Sequence, residues 1–262
     1  MRILVTNDDG VHAPGIEILE AIARELSDDV WVVGPAEEQS GAGHSLTLIE
    51  PVRIRQLAER RYAVRGTPTD SVMMGVGVVL RDMKPDLVLS GVNRGANLAE
   101  DVTYSGTVSA AMEGTLAGVR SVALSQTLGE LSGEFEPFAC ARAWGASVVR
   151  ALLKAEWPKG VLMNVNFPPV DPSAVRGVRV TEQGFHDYGR LIIDERRDMR
   201  GTPYYWFGLG PDATQPGHET DLKAIREGFI SVTPLHLDLT HYPTIASLRD
   251  ALGDFATPGA AG

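Results

Sequence analysis

Short apolar runs, each stopped by a polar turn, alternate with longer stretches of helical period over the first two thirds of the chain. Residues 3–6 form an apolar run that ends abruptly at Asn7-Asp8-Asp9-Gly10. Beyond Pro14, apolar residues recur at Ile16, Leu19, Ile22, Ala23 and Leu26, which is helical spacing with proline near the start. Residues 30–33 read as the next strand, closed by Gly34-Pro35. Residues 52–57 and 61–65 flank a polar turn and read as a hairpin. Thr67-Pro68-Thr69-Asp70 is a capping sequence for a helix carrying Val72, Met73, Val76, Val79 and Leu80. Strands are expected over 87–89, 122–124 and 161–167, with helices from about 107 to 116 and over 135–154. Strands alternating with helices imply parallel pairing, and strands buried on both faces explain the unbroken apolar runs. The expected fold class is α/β, a Rossmann-like, doubly wound and mostly parallel sheet.

The C-terminal third has a different pattern. Residues 190–200 are dense in charge, and 202–210 are dense in aromatics and glycine, which together suggest a long β-hairpin or arm. A short helix over 220–226, a strand over 229–239, a closing helix over 245–252 and a frayed tail over 258–262 complete the reading. One domain spans 1–262, divided roughly into a core over 1–182 and an arm with closing elements over 183–262.

Composition narrows the function. With 262 residues, 44% hydrophobic and 22% charged, the chain is an ordinary globular sequence, which excludes disordered, collagen-like and coiled-coil classes. Lys and Arg number 24 against 34 Asp and Glu, a net charge of −10 that repels phosphate backbones and argues against a nucleic-acid partner. A small phosphorylated substrate stays open if a bound cation reverses the local field. The single cysteine, Cys140, can form neither an internal disulfide nor a multi-thiolate zinc site. The first residues turn polar too soon for a signal peptide and no 18-residue apolar run occurs, so no membrane association and a cytoplasmic location are expected.

Ligands of open α/β sheets bind beyond the carboxyl ends of the strands, and three polar clusters fall there. The first is Asn7-Asp8-Asp9-Gly10. Adjacent carboxylates repel, and a divalent cation with oxygen ligands (Mg²⁺, Mn²⁺ or Ca²⁺ rather than zinc) offsets that repulsion, although a solvated turn would use the same residues. The second, Ser40-Gly41-Ala42-Gly43-His44-Ser45, offers hydroxyls and close backbone approach, or is simply a flexible loop. The third begins at Ser90-Gly91-Val92-Asn93-Arg94-Gly95-Ala96-Asn97 and continues through Asp101, Tyr104 and Ser105-Gly106-Thr107 into a helix. A loop rich in Gly, Ser and Asn that opens a helix is a ready anion site, beyond ordinary capping by Ser105 or Thr107. A carboxylate pair beside such a site points to metal-assisted phosphoryl chemistry.

Several rivals fail. There is no Gly-x-x-x-x-Gly-Lys-Ser/Thr loop, no His-Glu-x-x-His and no Gly-x-Ser-x-Gly elbow. A phospho-accepting receiver would need an aspartate where Ser90-Gly91 stands, and a suitably placed lysine, whereas the only lysines are Lys84, Lys154, Lys159 and Lys223.

Five ordered segments carry a resemblance: Thr6-Asn7-Asp8-Asp9-Gly10, Gln39-Ser40-Gly41, Arg65-Gly66-Thr67-Pro68-Thr69-Asp70, Ser90-Gly91-x-Asn93-x-Gly95-x-Asn97 and Tyr104-Ser105-Gly106-Thr107-Val108-x-Ala110-Ala111. In this order they resemble the signature of the survival protein E (SurE) family, over about the first 115 residues. The resemblance implies a metal-dependent nucleoside monophosphate phosphatase acting on 5′- and often 3′-nucleotides, with some members trimming short polyphosphate. It implies one divalent cation per subunit, Mg²⁺ or Mn²⁺, held by Asp8, Asp9, Ser40 and Asn93. It also implies dimers or tetramers that exchange C-terminal elements. On this reading water activated by the metal attacks phosphorus, assisted by Asp8 or Asp9, while Asn97, Ser105, Gly106 and Thr107 cradle the phosphoryl oxygens. The role of His44 is left open. Two alternatives stand beside it: a phosphatase forming an aspartyl-phosphate on Asp8 or Asp9, and a nucleotide-sensing protein without turnover.

Overall fold

A computed structural model describes residues 1–129, 136–185, 191–209 and 218–253. Its centre is a nine-stranded sheet. In chain order the described elements are β1 (Arg2–Thr6), α1 (Pro14–Arg24), β2 (Asp29–Pro35), the hairpin β3 (Arg53–Ala58) and β4 (Arg61–Arg65), then α2 (Pro68–Met74), β5 (Leu87–Arg94), α3 (Gly106–Leu116), β6 (Arg120–Gln126), α4 (Ala139–Leu152) and β7 (Val161–Phe167). There follow β8 (Val178–Val180), β9 (Leu191–Arg197), β10 (Pro203–Leu209), α5 (Asp221–Arg226), β11 (Ile230–His236) and α6 (Tyr242–Leu252). The strand order is β3-β4-β2-β1-β5-β6-β7-β11-β8.

From β4 to β7 all neighbours run parallel, as the doubly wound reading expects. Helices α1 and α4 bury Ile16, Leu19, Ile22 and Val149 on one face of the sheet, and α2 and α3 bury Val72 and Ala110 on the other. Because both faces are covered, β1, β5 and β6 carry apolar residues without alternation. The sheet reverses its winding between β1 and β5, so a crevice opens at their carboxyl ends, where the first and third polar clusters lie.

The structure departs from the sequence reading at several elements. The strand expected over 87–89 extends to Arg94, so the Ser-Gly-x-Asn segment lies on β5 and its pairing with β6 shifts register between Ser90 and Asn93. Gly91 sits at this irregularity with φ 132°, and a Cβ there would meet the Leu124 carbonyl oxygen at 2.2 Å. Only glycine fits. The helix expected from 135 begins at Ala139, because Pro137 precedes it and Phe138 is non-helical; Phe135 lies outside the described residues. The helix after Thr67 is regular only to Met74 and continues as a π-turn over Gly75–Val79. Strand β11 pairs antiparallel with β7 and is flanked by β8, a strand the sequence reading missed. The arm is present as the antiparallel β9–β10 hairpin, the closing helix starts earlier, at Tyr242, and the tail over 258–262 lies outside the described residues. No helix among the described residues is long and apolar enough to cross a membrane.

One buried carboxylate ties the C-terminal part to the crevice. Asp221, fully buried at the start of α5, accepts the N–H groups of Ala99 and Gly184, each at 2.8 Å. Ala99 is held at φ 50°, in the left-handed region that alanine rarely adopts. The same carboxylate also accepts the Leu222 N–H, so Asp221→Ala would leave three buried N–H groups without this acceptor, at about 1–3 kcal/mol for each left unpaired. The expected result is a melting temperature about 5–15 °C lower by calorimetry. A shift under two degrees would show that water replaces the carboxylate.

Candidate functional site

The crevice holds a cavity of about 580 Å³. Asp8, Asp9, Ser40, Asn93, Asn97, Ser105 and Gly106 line it, so seven of the eight residues singled out from sequence converge there from β1, β2, β5 and α3. Asp8 and Asp9 follow β1 directly, and Asp8 is 5% exposed. Ser40 lies on the loop after β2, where the Gln39 N–H donates to the Asp8 carbonyl at 2.8 Å and fixes the loop beside the carboxylates. Asn93 reaches the cavity because the irregularity at Gly91 re-aims the end of β5.

The eighth residue, Thr107, takes a different place. Its hydroxyl and its backbone N–H both donate to the Asp8 carboxylate, so this side chain orients Asp8 and does not line the cavity. Ser105 is the N-cap of α3, its Oγ accepting from the Val108 N–H at 3.1 Å. The Asn97 side-chain amide donates to Ser125 Oγ at 2.8 Å, while its backbone carbonyl accepts from the side-chain amides of Asn164 and Asn166. Gly106 packs directly on Asp8: an added Cβ would lie 2.7 Å from Asp8 Cβ.

Electrostatics single out the carboxylate pair. Burial pushes Asp8 above the usual carboxylate range, against the lowering effect of the Thr107 hydrogen bonds. Asp9 is pushed up to about 6, first by burial and then by the Asp8 charge, with Glu38 adding to it. The site therefore resists full ionisation unless a cation enters. The donors present fit a hard divalent cation: two carboxylates, the Ser40 hydroxyl, which spends its proton on Glu38 Oε1 at 2.8 Å, and the Asn93 side-chain oxygen, its amide being turned to the Gly95 carbonyl at 3.0 Å. All are oxygen donors. Among the described residues no group of three or more His, Cys, Asp or Glu forms a metal cluster, which fits a site built half from neutral oxygens.

Sequence reasoning missed Glu38 and Arg94, which also line the cavity. Glu38 was legible as a carboxylate two positions before Ser40, whereas nothing around Arg94 marks it. His44 lies outside the cavity lining and pairs with Glu113 of α3 at 3.3 Å. The Arg65–Asp70 segment is structural. Thr67 and Asp70 form a reciprocal capping box for α2, and the Asp70 carboxylate also accepts the Thr47 hydroxyl at 2.6 Å, pinning the far end of the Ser40 loop.

Fold and site together define a doubly wound α/β protein whose switch-point crevice pairs a cluster of oxygen donors with a helix N-terminus. A family model described as survival protein SurE matches residues 3–190, and the chain belongs to that family. It is 61% identical over 254 residues to a protein named 5′-nucleotidase SurE of Erythrobacter litoralis, covering 97% of this chain and 99% of the relative. It is 57% identical over 254 residues to 5′-nucleotidase SurE of Methylobacterium radiotolerans, covering 97% and 100%. The crystal structure of the SurE protein from Aquifex aeolicus superposes with a TM-score of 0.83 at 39% identity, covering 96% of this chain and 99% of that one.

Proposed function

We propose that this chain is a 5′-nucleotidase, a phosphomonoesterase that hydrolyses nucleoside 5′-monophosphates to nucleoside and phosphate with one divalent cation per subunit, Mg²⁺ or Mn²⁺. The observation that carries the reading is the contact of Asp8 with the first turn of α3, which sets a cation site against an anion site. The names of the relatives support the same substrate class. Asp8, Asp9, Ser40 and Asn93 would hold the cation, which when bound supplies charge neutralisation at phosphorus and makes water a stronger nucleophile near neutral pH. At the start of α3 the Thr107 N–H goes to Asp8 and the Val108 N–H to Ser105 Oγ, which reserves the N–H of cavity-lining Gly106 for a phosphoryl oxygen. Thr107 holds Asp8 in one orientation, and so acts on the reaction through Asp8. The reading extends to 3′-nucleotides and short polyphosphate, which offer the same terminal phosphoryl group, and to a cytoplasmic setting, which suits the free, buried Cys140.

The test is phosphate release from adenosine 5′-monophosphate, expected with Mg²⁺ or Mn²⁺, abolished by EDTA and restored by excess metal. Full activity in chelator overturns the metal, and no release from any nucleoside monophosphate overturns the activity. Gly106→Ala probes the contact itself. The added methyl has to displace Asp8, and displacements of this size typically lower turnover by about 10²-fold. Overpacking should also destabilise the fold by about 1–3 kcal/mol. Wild-type turnover in this variant would show that Asp8 tolerates movement.

The proposed assembly is a homodimer or homotetramer built through the arm. Tyr204, Tyr205, Trp206 and Phe207 of β10 are all exposed, and no residue of α6 is buried within the chain.

A further inference from the structure

Strand β7 reads Val-Leu-Met-Asn-Val-Asn-Phe and is buried from Leu162 to Phe167. Stability alone favours apolar side chains at such positions, because a buried amide costs free energy unless its polar groups are paired. At Leu162, two residues before Asn164, that rule holds, and the side chain packs with Val108 and Ala111 of α3. At the carboxyl end of the strand it fails. Asn164 and Asn166, both fully buried, share one face of β7, and the register neighbour of Asn166 on β6 is the buried Ser125. These three polar side chains have one partner in common, Asn97, on the loop that leads from β5 to α3.

Asn166 holds the backbone of Asn97 as a neighbouring strand would. Its Oδ1 accepts the Asn97 N–H at 2.9 Å, and its Nδ2 donates to the Asn97 carbonyl at 3.0 Å. Asn164 Nδ2 donates to the same carbonyl at 2.8 Å. A side-chain amide suits this role because it carries a donor and an acceptor side by side. Asn164 Oδ1, in contrast, is buried and has no hydrogen-bond partner among the described residues. A leucine would avoid that unpaired oxygen, so the use of Asn164 lies in its bond to Asn97 and not in the stability of the strand. Asn97 in turn lines the crevice cavity. Its side-chain nitrogen carries two hydrogens; one goes to Ser125 Oγ, which leaves the other for a phosphoryl oxygen. We propose that Asn166 and Asn164 are positioning residues for the hydrolysis, fixing the backbone of Asn97 so that its side-chain amide meets the phosphoryl group of the substrate. This inference rests on the nucleotidase reading above and deepens it. The loop has further anchors on either side, the Gly95 N–H donating to the Gln126 carbonyl at 2.9 Å and the Ala99 N–H to Asp221. Loss of the asparagines therefore displaces Asn97 without releasing the loop.

The test uses the full-length, Mg²⁺-loaded protein with the near-isosteric changes Asn166→Leu and Asn164→Leu. A misplacement of about 1 Å can cost about 10²-fold, and with the loop still anchored Asn166→Leu is expected to lower kcat/KM for adenosine 5′-monophosphate about tenfold. The inhibition constant of inorganic phosphate should rise by a similar factor. Asn164→Leu removes one of the two bonds to the carbonyl and should lower kcat/KM about threefold. Its melting temperature should be unchanged or raised, because the unpaired oxygen goes too, so this variant separates positioning from stability even where Asn166→Leu folds poorly. In an Asn97→Ala background Asn166→Leu should change phosphate inhibition by less than about twofold, since the group it positions is gone. Wild-type kinetics in Asn164→Leu and Asn166→Leu overturn the proposal, as do losses that follow the melting temperature or that add in full to Asn97→Ala. The nucleotidase reading fails separately. If the wild type releases phosphate from no nucleotide, calorimetric titration with inorganic phosphate decides the role of the asparagines: weaker binding in both variants keeps it, and unchanged binding removes it.

Discussion

Asp9→Asn and Asp8→Asn are each expected to lower kcat for nucleotide hydrolysis by about 10³-fold while leaving the melting temperature unchanged or slightly raised. Each change removes half of the anionic charge that would bind the cation. Cation stabilisation of the transition state is worth several kcal/mol, and about 4 kcal/mol corresponds to 10³ in rate. The fold survives because the pair is a burden without metal: burial and the Asp8 charge already push Asp9 up to about 6, so neutralising either group relieves repulsion. Asp8→Asn also keeps an oxygen to accept from the Thr107 hydroxyl, so the first turn of α3 stays in place. Phosphate release with saturating Mg²⁺ or Mn²⁺, read beside a thermal melt, checks both halves. A variant retaining more than a tenth of wild-type kcat would remove that carboxylate from the site.

The parallel core was legible because strands covered on both faces leave unbroken apolar runs, as over Ile3–Val5 of β1 and Leu87–Leu89 of β5. Strand β8 was not legible: three residues with little burial carry no period, and it exists only because β11 offers a partner. The direction of β11 was hidden too, since pairing with β7 is decided by the path of a chain that passes through β8, the hairpin and α5 first. Asp8, Asp9, Ser40 and Asn93 were legible from their places at strand ends and from the family resemblance. Thr107 shows the limit. Its position suggests capping or phosphate contact, yet its hydroxyl bonds Asp8 across 99 positions, a pairing that only the packing of α3 on the end of β1 creates. Arg94 reaches the cavity through the register shift in β5, and an exposed arginine at a strand end gives no local sign of that.

Trp206→Ser combined with Phe207→Ser is expected to convert the proposed oligomer into a monomer of 28.2 kDa by light scattering at micromolar concentration. The β9–β10 hairpin forms a two-stranded sheet of its own, separate from the nine-stranded sheet, and such ribbons are marginal in water without further packing. Side chains alternate along β10, so Tyr204 and Trp206 share one face and Tyr205 and Phe207 the other. Trp206 is 60% and Phe207 75% exposed within one chain, so the arm does not fold back to bury them on its own core. Ile192 and Ile193 on β9 are also more than half exposed, which extends the apolar area across the ribbon. Surfaces of this kind mark interfaces, and aromatic anchors at interface centres typically contribute about 2–4 kcal/mol each. In a two-fold dimer each substitution acts twice, so the pair removes at least about 8 kcal/mol of association energy if its effects add. That loss weakens a dimer by about 10⁵-fold or more. Among the described residues, none of the arm lines the crevice cavity, so the monomeric variant is expected to keep measurable turnover. A wild-type protein that is already monomeric, or a variant that remains oligomeric, would place the function of the arm elsewhere.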